Sequence, residues 1–169
     1  ANREACNSLI YNGDFEADID GWAQNGYINL EAKPGEGVGE SAAGVTRNWS
    51  RDSYWPLQYI DTSCLTEGDT FNVEISYKTV ALGTQTEVEC GSDCPKARVN
   101  YYQWIPSTSS YTYHAYEDIT TSVELVDGFK KMTGTWTISA AVGAADKVKF
   151  LIETDSAHDL IFDNVQITK

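Results

Sequence analysis

Thr70-Phe71-Asn72-Val73-Glu74-Ile75-Ser76-Tyr77-Lys78-Thr79-Val80 is the stretch on which the reading of the fold turns. Phe71, Val73, Ile75 and Tyr77 alternate with Asn72, Glu74, Ser76 and Lys78. That period of two puts apolar groups on one face of an extended chain and polar groups on the other. The segment is therefore predicted to be a strand with one face in a core. Shorter runs repeat the pattern at Ala97 to Ile105, Thr133 to Ser139 and Lys147 to Thr154, the last with Val148, Phe150 and Ile152 on one face. Asp159 to Thr168 follows, with Val165 and Ile167 inward, while Ser8 to Tyr11 and Tyr27 to Ala32 are shorter candidates. Clusters of Gly, Asp, Ser and Thr separate these runs, and helical periodicity is absent almost everywhere, so the class is all-β and the expected architecture a sandwich. No internal repeat or interdomain linker is visible, and residues 1–169 are read as a single domain, a length sufficient for one full core. Two connections, Glu40 to Trp55 and Pro106 to Asp118, are long and aromatic, as binding loops often are.

The net charge of -13 limits the partners. Such a surface repels phosphate backbones, anionic membranes and highly acidic polysaccharides, which leaves neutral ligands and cations and excludes nucleic acid. No apolar run approaches the ~20 residues of a membrane span. Hydrophobic residues at 41% and charged ones at 22% are ordinary for a globular chain, but 5 Trp and 10 Tyr are many. Those that escape the core offer rigid, amphipathic faces suited to recognition.

Four cysteines, Cys6, Cys64, Cys90 and Cys94, lack the spacing of a zinc site, and neither His114 nor His158 supplies it. Two disulfides are the better reading. Cys90 and Cys94 flank Gly91-Ser92-Asp93, a turn short enough for a local bridge, which leaves Cys6 for Cys64. Disulfides imply an oxidising compartment, so the protein is expected to be secreted. The start at Ala1 without Met or an apolar segment suits a mature form, and Asn48-Trp49-Ser50 is a glycosylation sequon.

Two segments at opposite ends carry a family resemblance: Asn12-Gly13-Asp14-Phe15-Glu16 with Gly21-Trp22, and Asp159-Leu160-Ile161-Phe162-Asp163-Asn164-Val165. Between them lie Val45-Thr46-Arg47, Leu65-Thr66-Glu67-Gly68-Asp69-Thr70-Phe71 and Gly134-Thr135-Trp136-Thr137-Ile138. In order and spacing the chain resembles the carbohydrate-binding modules of families four, sixteen and twenty-two over nearly its whole length. The resemblance implies a jelly-roll β-sandwich of two antiparallel sheets, galactose-binding-domain-like. It also implies a structural calcium ion, with Glu16 and Asp163 at the family's carboxylate positions and Asp14 as a further candidate. Calcium takes six to eight hard oxygen ligands, so carboxylates and carbonyls are the right donors. Trp22 and Trp136 match core positions and are read as packing residues.

A sugar presents apolar C–H faces ringed by hydroxyls and needs aromatic platforms beside polar side chains. If Ala97, Val99 and Tyr101 face the core, then Arg98, Asn100, Tyr102 and Trp104 face outward together. The flipped register would bury Tyr102 and Trp104; Val99 argues against it. Positions matching the family bring Glu153, Trp55 or Trp49, and Asn72 and Glu74 (as the floor) to the same groove. The expected function is non-catalytic binding of a neutral β-linked polysaccharide, xylan or a β-glucan, by a lectin-like monomer or a module of a larger enzyme. An extracellular structural or adhesion domain of the same fold is the alternative. A polysaccharide lyase using His114 with Tyr113 and Tyr116 is less favoured, because it lacks a basic cleft. No catalytic residue is assigned.

Overall fold

The computed structural model describes residues 5–23, 28–48, 55–91, 95–112, 115–155 and 157–169, with backbone alone at 5, 28, 29, 47 and 48. One sheet has six strands, β1 (Ile28–Lys33), β2 (Ala43–Asn48), β12 (His158–Thr168), β4 (Thr70–Ala81), β10 (Phe129–Thr137) and β9 (Thr121–Val126), in that spatial order. The other has four, in the order β3 (Leu57–Ile60), β11 (Lys147–Glu153), β5 (Lys96–Tyr102) and β8 (Ala115–Asp118). A two-stranded ribbon, β6 (Trp104–Ile105) with β7 (Ser110–Tyr111), stands apart from both. All pairings are antiparallel. The architecture is a jelly-roll β-sandwich, as the resemblance implies.

The alternation in β4 decides which face goes inward. Phe71, Val73, Ile75 and Tyr77 are buried against Val99 of β5 and Val148, Phe150 and Ile152 of β11 in one core. Met132 and Trp136 of β10, Leu160, Phe162, Val165 and Ile167 of β12, and Trp22 complete it. Trp22 and Trp136 are packing residues, as expected. Each buried aliphatic or aromatic side chain contributes roughly 1.5–3 kcal/mol, so this core is the main source of stability.

The two terminal motifs meet. Asn164 adopts a left-handed φ of 48°, and the register of β12 against β4 slips between Asp163 and Gln166. This bulge reverses the alternation, so Leu160 and Phe162 before it and Val165 and Ile167 after it all face the core. Gly13 lies against the bulge: the Val165 amide donates to the Gly13 carbonyl at 3.0 Å, and a Cβ on Gly13 would run into the Val165 carbonyl. Beside it Phe15 stacks on Trp22 at 5.3 Å and meets Phe162 edge-on at 5.0 Å. A disulfide joins Cys6 to Cys64 as expected. Cys90 is also disulfide-bonded, and Cys94, its expected partner, lies outside the described residues.

Five local expectations differ from the structure. The connection from Glu40 to Trp55 contains β2, and Ser8 to Tyr11 is not a strand, Ser8 making only an isolated bridge to Thr168. The strand beginning at Ala97 does not run to Ile105; it breaks at Gln103, where Thr112 replaces the sheet as backbone partner and Asp146 accepts from the Trp104 amide at 2.7 Å. The segment from Pro106 to Asp118 contains β7 and β8. Finally, β10 starts four residues before Thr133, because Asp127 and Gly128, with φ of 53° and 81°, form a tight hairpin to β9.

Candidate functional site

Four strands, each presenting alternate side chains to the outside, make the outer face of the smaller sheet. Register aligns one row across it: Tyr59 on β3, Lys149 on β11, Asn100 on β5 and Tyr116 on β8. Adjacent strands are about 4.8 Å apart, so Tyr59 and Tyr116 stand roughly 14 Å from each other with the two polar residues between them. The next row is Leu57, Leu151, Arg98 and Asp118; on the other side Lys147 pairs with Tyr102. Tyr59 and Tyr116 are exposed at 50% and 57%, whereas Lys149 and Asn100 are at 9% and 6%, which makes a sunken polar floor between aromatic rims.

Arg98 organises one half of this floor. Its Nε donates to Asp118 Oδ1 at 2.8 Å, its Nη1 lies 2.6 Å from Glu153 Oε2, and its guanidinium stacks over Tyr116 at 4.2 Å and near Trp55 at 6.0 Å. Burial is the largest single influence and lowers the Arg98 pKa, but the hydrogen bond to Asp118 and attraction to Glu153 and Asp118 together outweigh it and hold the guanidinium above its ordinary value. Trp55 is fixed by its indole N–H donating to the Thr154 carbonyl at 3.0 Å. Lys147 and Lys149 organise the other half: Lys149 Nζ sits 5.2 Å from the Tyr102 ring, and Lys147 Nζ sits 4.7 Å from Tyr59 and 5.4 Å from Tyr111. Tyr111 packs edge-on against Tyr102 and Trp104, so the ribbon extends the aromatic surface past the end of β5.

One buried acceptor in this face is unfilled. Among the described residues Asn100 Oδ1 has no hydrogen-bond partner, whereas Glu153 Oε2 is held by the Arg98 guanidinium at 2.6 Å. A buried acceptor left unmade costs about 1–3 kcal/mol, and a ligand hydroxyl would recover that.

The structure therefore brings Arg98, Asn100, Tyr102, Trp55 and Glu153 onto one face, with Trp104 beside it on the ribbon. Asn72 and Glu74 do not join them. They lie on β4, whose inner face carries Phe71, Val73 and Ile75, so their side chains leave by the opposite side of the sandwich, where Glu74 pairs with Lys131 at 2.6 Å. Trp49, Tyr113 and His114 lie outside the described residues. Tyr116, considered above for lyase chemistry, sits beneath Arg98.

Sequence reasoning missed Tyr59, Tyr116, Lys147 and Lys149. The two lysines were legible in the alternation of Lys147 to Thr154, whose polar partners must face away from Val148, Phe150 and Ile152. The tyrosines sit on four-residue strands too short for periodicity to declare itself.

The acidic residues at the bulge occupy the outer side of the larger sheet. Asp163 is fully buried; its Oδ2 accepts from the Val38 amide and the Ser41 hydroxyl, both at 3.0 Å, and its Oδ1 from the Asn164 amide at 2.8 Å. Glu16 Oε1 accepts from the Ala42 amide at 3.3 Å, at the end of the same 38–42 turn. Burial pushes the Asp163 carboxyl above its ordinary range, and nearby Asp14 adds to this. A further cluster, Asp155 with His158 at 2.6 Å and Cys90 Sγ 3.6 Å from Asp155, offers no thiolate, since Cys90 is disulfide-bonded.

Among solved structures, this fold is matched by the CBM22-1–GH10 modules of a Clostridium thermocellum endo-1,4-β-D-xylanase complexed with xylohexaose, with a TM-score of 0.69 and 22% identity. That match covers 96% of this chain and 28% of the other, so the chain spans little more than a quarter of that length. The fold is that of a carbohydrate-binding module. The CBM22-2 xylan-binding domain of Paenibacillus barcinonensis Xyn10C matches at a TM-score of 0.65 and 18% identity, covering 92% of this chain and 96% of its own. A family 16 carbohydrate-binding module matches at 0.56 and 18%, over 95% and 99%. No family model matches the sequence, and no curated protein does.

Proposed function

We propose that the protein binds a β-linked polysaccharide with a neutral main chain, xylan or a β-glucan, on the outer face of the four-stranded sheet, without chemical conversion. The observation that carries this reading is the unfilled Asn100 Oδ1, buried in a floor with Tyr59 and Tyr116 at its rims. Tyrosine and tryptophan faces stack on the C–H faces of pyranose rings, and the amide oxygen accepts from a sugar hydroxyl. Glu153, fixed by Arg98, supplies a carboxylate, and Arg98, held by two carboxylates, a preorganised donor. The solved structures of like fold include xylan-binding modules, which supports the choice of ligand class.

Calcium belongs to the same proposal, at Glu16, Asp163 and Asp14. The residues fit a hard cation. Asp163 is a buried carboxylate whose oxygens receive only neutral donors, Glu16 reaches the same turn, and every donor is oxygen. A bound ion would offset the mutual repulsion of these carboxylates and hold the 38–42 turn to the bulge. The two disulfide-bonded cysteine sites suit a secreted protein.

Isothermal titration calorimetry against xylan, laminarin, barley β-glucan and hydroxyethylcellulose tests the binding face. Binding to one of these, weakened at least about fivefold in Tyr116→Ala and Trp104→Ala, is expected from loss of more than 1 kcal/mol per aromatic anchor. Undiminished binding in both variants would move the site elsewhere.

A further inference from the structure

The cations of this acidic protein are unevenly satisfied. Among the described residues, Lys96, Arg98, Lys130, Lys131 and Lys169 each have a carboxylate oxygen within 4.0 Å. Lys78, Lys147 and Lys149 have none: Lys78 lies over the Phe129 ring on the larger sheet, whereas Lys147 and Lys149, side by side on the candidate face, lie against the faces of Tyr59, Tyr102 and Tyr111. Lys149 is moreover only 9% exposed, on a chain whose net charge is -13 and where a carboxylate partner would have been easy to place. Two ammonium groups held side by side against aromatic rings, with no carboxylate among the described residues to pair them, leave positive charge available to a bound anion.

From these two lysines we infer that the glycan bound on this face carries carboxylate groups: a mainly neutral β-glycan with sparse uronic acid substituents. The inference rests on the reading of this face as a polysaccharide site. Lys147 and Lys149 project from the same side of β11, two residues and about 7 Å apart, so both can reach one substituent from one flank. Aromatic rings on either side keep the ammonium groups in place and lower the local dielectric, which strengthens attraction to an anion. Asn100, directly across from Lys149, offers its unfilled oxygen to a hydroxyl of the same or the adjoining sugar. A densely charged polymer fits less well, because the rest of the molecule repels it at long range. The substituent must be occasional, with neutral sugars on the surrounding tyrosines.

The test compares one polymer in two states: glucuronoxylan as isolated, and the same preparation after its carboxyl groups are reduced to alcohols. At low salt the native polymer is expected to bind about fivefold more tightly, as one or two partly exposed ion pairs allow, and the margin should shrink at about 0.5 M NaCl. Lys149→Gln keeps a hydrogen-bond donor without charge and should bring the two affinities together, while Lys149→Arg should keep them apart. Thermal melts confirm that each variant is folded. Equal affinity of the wild-type protein for both polymers would overturn the inference and leave the polysaccharide site standing. Tighter binding of a sulfated xylan than of glucuronoxylan would overturn the carboxylate assignment, and binding of neither polymer would remove the polysaccharide reading and this inference together.

Discussion

Arg98→Met removes one charge from the middle of the candidate face and leaves two carboxylates behind. Methionine keeps much of the packing volume over Tyr116, so the loss is mainly electrostatic. Glu153 has a side chain 23% exposed and an oxygen 2.6 Å from the guanidinium; losing a partner from so sheltered a pair costs about 2–3 kcal/mol, somewhat below the 3–5 of a fully buried one. Asp118, at 45% exposed and 2.8 Å, is better solvated and adds about 0.5–1 kcal/mol. The expected destabilisation is therefore about 2.5–4 kcal/mol, read as a lower urea midpoint with an unchanged slope. Pairing the substitution with Glu153→Leu isolates the coupling. The double variant should be more stable than the sum of the singles by about 1–2 kcal/mol, because leucine does not need the lost cation. A single-variant loss under 1 kcal/mol, with additivity in the double, would show that Arg98 does not hold Glu153 in solution.

Other expectations concern the frame. Replacing Cys6 and Cys64 by Ala opens a loop of 58 residues and should cost about 4 kcal/mol by chain-entropy reasoning, measurable by urea unfolding. Gly13→Ala sets a methyl group against the Val165 carbonyl and should lower Tm by several degrees, with Ala17→Gly on the neighbouring exposed turn as the mild control. Asp163 gives a pH effect of definite sign. Burial raises its folded-state pKa above the ordinary 3.8, so the folded protein holds the proton more tightly than the unfolded chain. In chelator its contribution is present below that value and is lost as pH rises through the raised pKa. Asp163→Asn should remove that loss in chelator, and calcium should reverse it in the wild-type protein by favouring the ionised form. A calcium-independent Tm in the wild-type protein would count against the ion.

The sequence made the sandwich legible because β4, β11 and β12 are long enough for alternation to show: one face of each had to be apolar, and it was. The same logic placed Arg98, Asn100 and Tyr102 on one outer face, since Val99 could only go inward. It did not say which outer face a strand owns. Asn72 and Glu74 are as polar and as regularly spaced as Arg98 and Asn100, and only sheet order puts the two pairs on opposite sides of the molecule. Tyr59 and Tyr116 were hidden for a different reason, because their strands pair through backbone groups that carry no side-chain pattern. The break at Gln103 depends on Thr112 and Asp146, remote residues that a local window does not see.

The β6–β7 ribbon has a consequence for how this molecule can change over generations. It touches the sandwich through the Asp146 contact and through Tyr111 against Tyr102 and Lys147, and every side chain from Pro106 to Ser110 is exposed. Insertions or substitutions at its tip leave the sandwich interior untouched, so the surface here can change almost separately from stability. Trp104 and Tyr111 then form an exchangeable fitting on a fixed frame, where change costs the sandwich little.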